Sequence, residues 1–84
     1  MKKIVEVSES GLESLMGEKV ILLCLNYFYA GRLVGVNRTC VLLEDASIVY
    51  ETGEWGASAW KDTQKIGQSI YVQVSKIEAF CKGK

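Results

Sequence analysis

The chain has no proline and no histidine, its ten basic residues are balanced by ten acidic ones, and its three cysteines, Cys24, Cys40 and Cys81, are few and scattered. Each absence removes a class of function. Without histidine there is no Ser/His or Cys/His nucleophilic pair. No glycine loop followed by lysine and serine or threonine is present to cradle phosphate, and metal ligands are not clustered, so neither catalysis, a cofactor nor a metal is expected. Glu44 and Asp45 adjoin, and on a regular strand they would point to opposite faces, a poor acid–base pair. An odd cysteine count without CxxC spacing implies neither a disulfide framework nor a zinc site. Cys24 and Cys40, among strand residues, behave as small hydrophobes. Zero formal net charge weighs against strong non-specific nucleic-acid binding, whose affinity comes largely from neutralised phosphates, without excluding a local basic patch.

Long apolar runs are missing as well. The longest, Val20 to Leu25, has six residues, against the roughly 18 of a membrane span. Lys2-Lys3 is followed at once by Ile4-Val5-Glu6, too short and too soon charged for a signal peptide, so a cytoplasmic location is expected. No Ser/Gly-rich linker and no internal repeat interrupt the chain. Its 84 residues, 49% apolar and 24% charged, therefore read as one globular domain spanning 1–84. A chain of this size buries only about 60 to 65% of its unfolded surface, which makes oligomerisation advantageous.

What is present reads as a short helix followed by strands. Residues 8–16 have candidate caps in Ser8 or Ser10, apolar Leu12, Leu15 and Met16 at helical spacing, and Gly17 as a stop, which predicts a helix of two to three turns. Ile4 to Val7 before it is apolar and reads as a brief strand or an extended lead-in. Val20 to Leu25 is apolar at every position, as in a strand buried on both faces, with the N-terminal helix as cover on one of them. Asn26-Tyr27 supplies a turn, and asparagine there tolerates a left-handed conformation. Phe28 to Val36 is a second strand in which Gly31 and Gly35 permit bends and close backbone approach. Asn37-Arg38-Thr39 is a polar break, Cys40 to Tyr50 a long third strand, and 53–67 a glycine-rich, charged loop or loose hairpin tip. Residues 69–74 alternate with period two, and Lys76 to Phe80 reads as a short last strand. After residue 75, Lys76, Lys82 and Lys84 face Glu78 alone, as in a solubilising tail.

The most specific stretch is 30–46, two glycine-marked strands joined by a polar turn. Leu23, Asn26, Gly31, Leu33 and Asn37, followed by Leu43-Glu44-Asp45-Ala46, resemble the first sequence motif and third-strand exit of the Sm/LSm family, part of the Hfq-related superfamily. The resemblance covers about residues 17–80. It implies a mainly β fold: a helix at about 8–16, then a five-stranded, strongly bent antiparallel SH3-like barrel over about 18–80, with a loop at about 53–67.

The resemblance also implies assembly. In such proteins the fourth strand of one subunit pairs with the fifth of its neighbour until a ring of five to seven closes. Residues 69–75 contain no lysine or proline to blunt that edge, so Ser69, Ile70, Tyr71, Val72, Val74, Ile77, Ala79 and Phe80 are the expected self-interface, with cyclic heterologous contacts. The other possibility for this edge is a monomer in which the tail or the 53–67 loop covers it.

RNA-binding members use the turn between strands two and three and the turn before the last strand to hold a base. Those positions correspond here to Asn37, Arg38 and Thr39, and to Gln73 and Lys76. Asn37 to Leu43 is one residue shorter than the family pattern and offers neither an aromatic nor an asparagine at Thr39, Cys40 or Val41. Val72-Gln73-Val74 stands where many members have Ile-Arg-Gly. Trp55 and Trp60 are candidates for partner docking, since aromatic residues dominate interface hot spots, or for folding back as core or ring contacts. Tyr27, Phe28 and Tyr29 read as barrel packing. Two functions follow as expectations: a homo-oligomeric ring binding single-stranded RNA or an RNA-associated partner, or a ring serving as a protein scaffold without nucleic acid.

Overall fold

In a computed structural model, which describes residues 11–84, the chain forms a six-stranded antiparallel sheet. A 3₁₀ helix, Gly11–Leu15, leads into β1 (Lys19–Cys24), β2 (Phe28–Val36), β3 (Cys40–Glu51), β4 (Asp62–Lys65) and β5 (Ile70–Gln73). A second 3₁₀ helix, Val74–Lys76, then connects to β6 (Ile77–Lys82). The strand order is β4-β3-β2-β1-β6, and β5 also pairs with β3. β5 takes the Cys40 to Leu43 half of β3 and β4 the Ser47 to Glu51 half. Among the described residues no pairing joins β6 to β4 or β5, so the sheet is not closed. No helix among them is long and apolar enough to cross a membrane.

Of the apolar run Val20 to Leu25, the part within β1 is explained by burial on both faces, whereas Leu25 falls past the strand and is exposed. Val20, Leu22 and Cys24 point into the main core with Leu33, Val41, Leu43, Ala46 and Val72, while Ile21 packs on the opposite face with Ala30 and Val49. The cover differs from the expectation. Leu12 and Leu15 pack against the main core, whereas the opposite face is covered by Leu23, Phe28 and Trp60. Six large side chains, Val20, Ile21, Leu22, Leu33, Val41 and Leu43, are fully buried. Each contributes about 1.5 to 3 kcal/mol in transfer free energy.

The β2–β3 pairing shifts register twice, between Ala30 and Arg32 and between Leu33 and Gly35, and the first shift is a bulge on β3. Ala30 pairs with Ser47 and Arg32 with Glu44, so Asp45 and Ala46 both face Gly31. Asp45 takes a left-handed conformation, φ 53°, which aspartate adopts more readily than most residues. A Cβ on Gly31 would stand 2.9 Å from the Glu44 carbonyl oxygen, so glycine is required by the close approach. The bulge also corrects the alternation assumed for Glu44-Asp45. Leu43 and Ala46, three residues apart, both join the main core, and Glu44 and Asp45 between them are both exposed.

Other expectations are corrected. Ser8, Ser10 and Ile4 to Val7 lie outside the described residues; within them the expected helix is five residues of 3₁₀ form, where Ser14 Oγ donates to the Gly11 carbonyl at 2.6 Å. Gly17 does end it, with φ 84°. The strand count is six rather than five, because the second half of the supposed 53–67 loop forms β4, whose residues are all exposed. The lysine tail is not free: Lys82 closes β6, and Lys84 is seated on the tryptophan loop. Asn26 does not use the left-handed region; among the described non-glycine residues Asp45 alone does.

Candidate functional site

The two segments expected to hold a base are far apart in sequence and adjacent in the fold. Asn37 builds its own turn: its Oδ1 accepts from the Thr39 N–H at 2.8 Å, the Thr39 hydroxyl at 3.1 Å and the Cys40 N–H at 2.9 Å. Its N–H donates to the Cys40 carbonyl at 2.9 Å. This is the local side-chain bonding that makes asparagine a turn residue. The turn is then tied to the second segment, since the Val74 N–H donates to the Thr39 carbonyl at 2.9 Å and Cys40 pairs with Gln73.

The side chains divide between two surfaces. Asn37, Arg38 and Thr39 are exposed on the turn, with the Asn37 acceptor already committed. Gln73 and Lys76 instead line an open groove of about 440 Å³ whose walls include Leu25, Tyr27, Tyr29 and Tyr71. Tyr27 lies 6.3 Å, centroid to centroid, from Tyr29 and 6.4 Å, edge-on, from Tyr50. The Tyr50 hydroxyl donates to Gln64 Oε1 at 2.8 Å, which holds this ring from the β4 side. Tyr71 is 73% exposed and Leu25 82%. Flat rings, a primary amide and an ammonium in one groove form the set that can stack on a base, bond its edge and meet a phosphate.

Sequence reasoning missed this convergence by assigning Tyr27 and Tyr29 to packing. That holds for Tyr29, which packs against the main core, but Tyr27 is about half-exposed. The available signal was the alternation Tyr71-Val72-Gln73, which sends Tyr71 and Gln73 outward together when Val72 is buried. Two weak acids beside the groove stay neutral. Burial pushes the Cys24 thiol up, with the Glu78 carboxylate adding to it. Burial likewise raises the Tyr29 phenol, aided by Cys24 and Tyr27. Neither places a negative charge against a phosphate at neutral pH.

The expected self-interface residues also divide. Val72 is buried, and Ile70, Val74 and Ile77 pack against the main core. Ser69, Tyr71, Ala79 and Phe80 are exposed. The tryptophans form one edge-on pair, 5.5 Å apart at 87°; Trp60 folds back onto the Ile21 cluster while Trp55 stays 52% exposed. Cys24 is buried, Cys40 partly buried and Cys81 exposed, all with free thiols. Among the described residues no group of three or more potential ligands is placed to hold a metal ion.

No protein-family model, curated protein or solved structure matches this chain.

Proposed function

We propose that the chain is an Sm-like subunit, a bent SH3-like barrel that assembles edge to edge into a homo-oligomeric ring and binds single-stranded RNA at the Tyr27–Tyr71 groove. The observation that carries the reading is the pair of open edges: among the described residues β5 pairs only with β3 and β6 only with β1. β4, on the same edge of β3 as β5, carries Asp62 and Lys65 and is fully exposed. β5 reads Ile-Tyr-Val-Gln, with no charge or proline to repel an added strand. Pairing β5 of one copy with β6 of the next is a heterologous contact, and a rotation that closes covers both of these edges in every copy. Supporting the Sm-like topology, one 3₁₀ turn leads β5 into β6, and β6 returns to pair with β1.

RNA binding is tested by salt-dependent titration with short U-rich and A-rich oligonucleotides. Saturable binding at low salt is expected, with Tyr71→Ala losing stacking worth about 1 to 3 kcal/mol and Lys76→Ala lowering the salt slope by about one. No saturable binding at low salt would remove the RNA part of the reading. Two observations favour a ring used as a protein scaffold instead: Asn37 Oδ1 is engaged within its own turn, and Trp55 stands 52% exposed. A ring that binds neither oligonucleotide would select that second reading.

A further inference from the structure

The loop between β3 and β4 folds around a positive charge. The Lys84 ammonium donates to the carbonyls of Glu54 at 2.7 Å, Ala59 at 3.3 Å and Thr52 at 3.4 Å. It also lies 4.4 Å from the centroid of the Trp60 ring. A lysine ammonium has three donors, and here one loop supplies three backbone acceptors and an aromatic face, the two kinds of group that recognise such a cation. Trp60 is fixed from below by Ile21, Ala30 and Val49 and from the side by the Trp55 ring, so the face offered to the ammonium is held in place.

The path that brings Lys84 there is also specified. The Gly83 N–H donates to the Lys19 carbonyl at 2.8 Å, and a Cβ on Gly83 would stand 2.9 Å from the Val20 carbonyl carbon. Only glycine lets the backbone run this close to β1. The loop belongs to β3 and β4, at one end of the strand order, while Lys84 follows β6, at the other. One side chain therefore ties the two ends of an unclosed sheet together.

We propose that the 52–60 loop is a binding site for an alkylammonium group, the side chain of lysine, and that Lys84 is its occupant in cis. The recognised chemistry is the charge and its three donors, not the aliphatic stem. Neutralising Lys84 by acylation would empty the site and release the loop. The proposal does not depend on ring assembly or RNA binding.

The test uses full-length variants confirmed as folded by far-UV circular dichroism; the readouts are the Trp60 indole N–H resonance and amide hydrogen exchange at Ala57 and Lys61, whose N–H groups donate to the Glu54 and Thr52 carbonyls at 3.1 and 3.4 Å. Lys84→Met keeps the stem and removes the charge. It is expected to speed exchange at these two amides by about tenfold, the scale of one charge-assisted hydrogen bond, and to shift the indole signal. Lys84→Arg is expected to retain much of the protection. In Lys84→Ala, millimolar n-butylammonium is expected to restore the indole position while n-butanol does not. Unchanged exchange and indole signal in folded Lys84→Met would overturn the proposal, as would equal rescue by the amine and the alcohol.

Discussion

At the scale of single residues, the bend of the sheet rests on Gly31 and Asp45. Replacing Gly31 with alanine drives a methyl into the Glu44 carbonyl, 2.9 Å from the ideal Cβ, and overpacking of this kind costs about 1 to 3 kcal/mol. Asp45→Val places a β-branched side chain at φ 53° and is expected to lose about 1 to 2 kcal/mol, while Asp45→Asn changes little. Urea unfolding of the three variants checks the order. Gly31 was legible from sequence as a point of close approach. Asp45 was not: aspartate tolerates the left-handed region, but nothing in Leu-Glu-Asp-Ala requires it there, and the bulge arises from how β3 meets β2. Two further residues govern the alkaline side of stability. The Cys24 thiol and Tyr29 phenol are raised in the folded state, chiefly by burial, so unfolding favours their ionisation. Their contribution is present below the unfolded-state values, 9.0 for the thiol and 10.0 for the phenol, and is lost as pH rises from these towards the raised folded-state values. The unfolding temperature is expected to fall from about pH 9 upward, and Cys24→Val to remove the first part of that fall.

At the scale of elements, β1 is the strand most fully written in the sequence. A run apolar at every position implies burial on both faces, and Ile21 and Leu22, on opposite faces, are both fully buried. Ile21→Ala and Leu22→Ala are each expected to cost about 2 to 5 kcal/mol in denaturant unfolding, whereas Val34→Ala, on the exposed side of β2, costs well under that. β4 was illegible for the opposite reason. Asp-Thr-Gln-Lys has no apolar alternation, and its strand form comes from pairing with Ser47 to Glu51 rather than from its own pattern. The N-terminal cover was misread on a similar basis. Leu12, Leu15 and Met16 fit helical spacing, but the described segment is only five residues of 3₁₀ helix and Met16 is exposed. The cover for the Ile21 face comes from Trp60, about forty positions downstream in a loop whose path the local sequence does not specify.

At the scale of the whole molecule, the sheet is open among the described residues, with unpaired backbone edges on β4, β5 and β6. The candidate site shows the same division between legible and hidden. The adjacency of Thr39 and Val74 comes from the pairing of β3 with β5, whereas the grouping of Tyr27, Tyr71, Gln73 and Lys76 needed the path of the β1–β2 turn beside β5. Assembly is the central claim, and the mass of the native chain in solution, measured by light scattering on a sizing column at micromolar concentration, tests it most directly. A defined multiple of 9.3 kDa, reduced by Tyr71→Lys on the β5 edge, is the predicted result. A monomeric mass for the unaltered chain would contradict it.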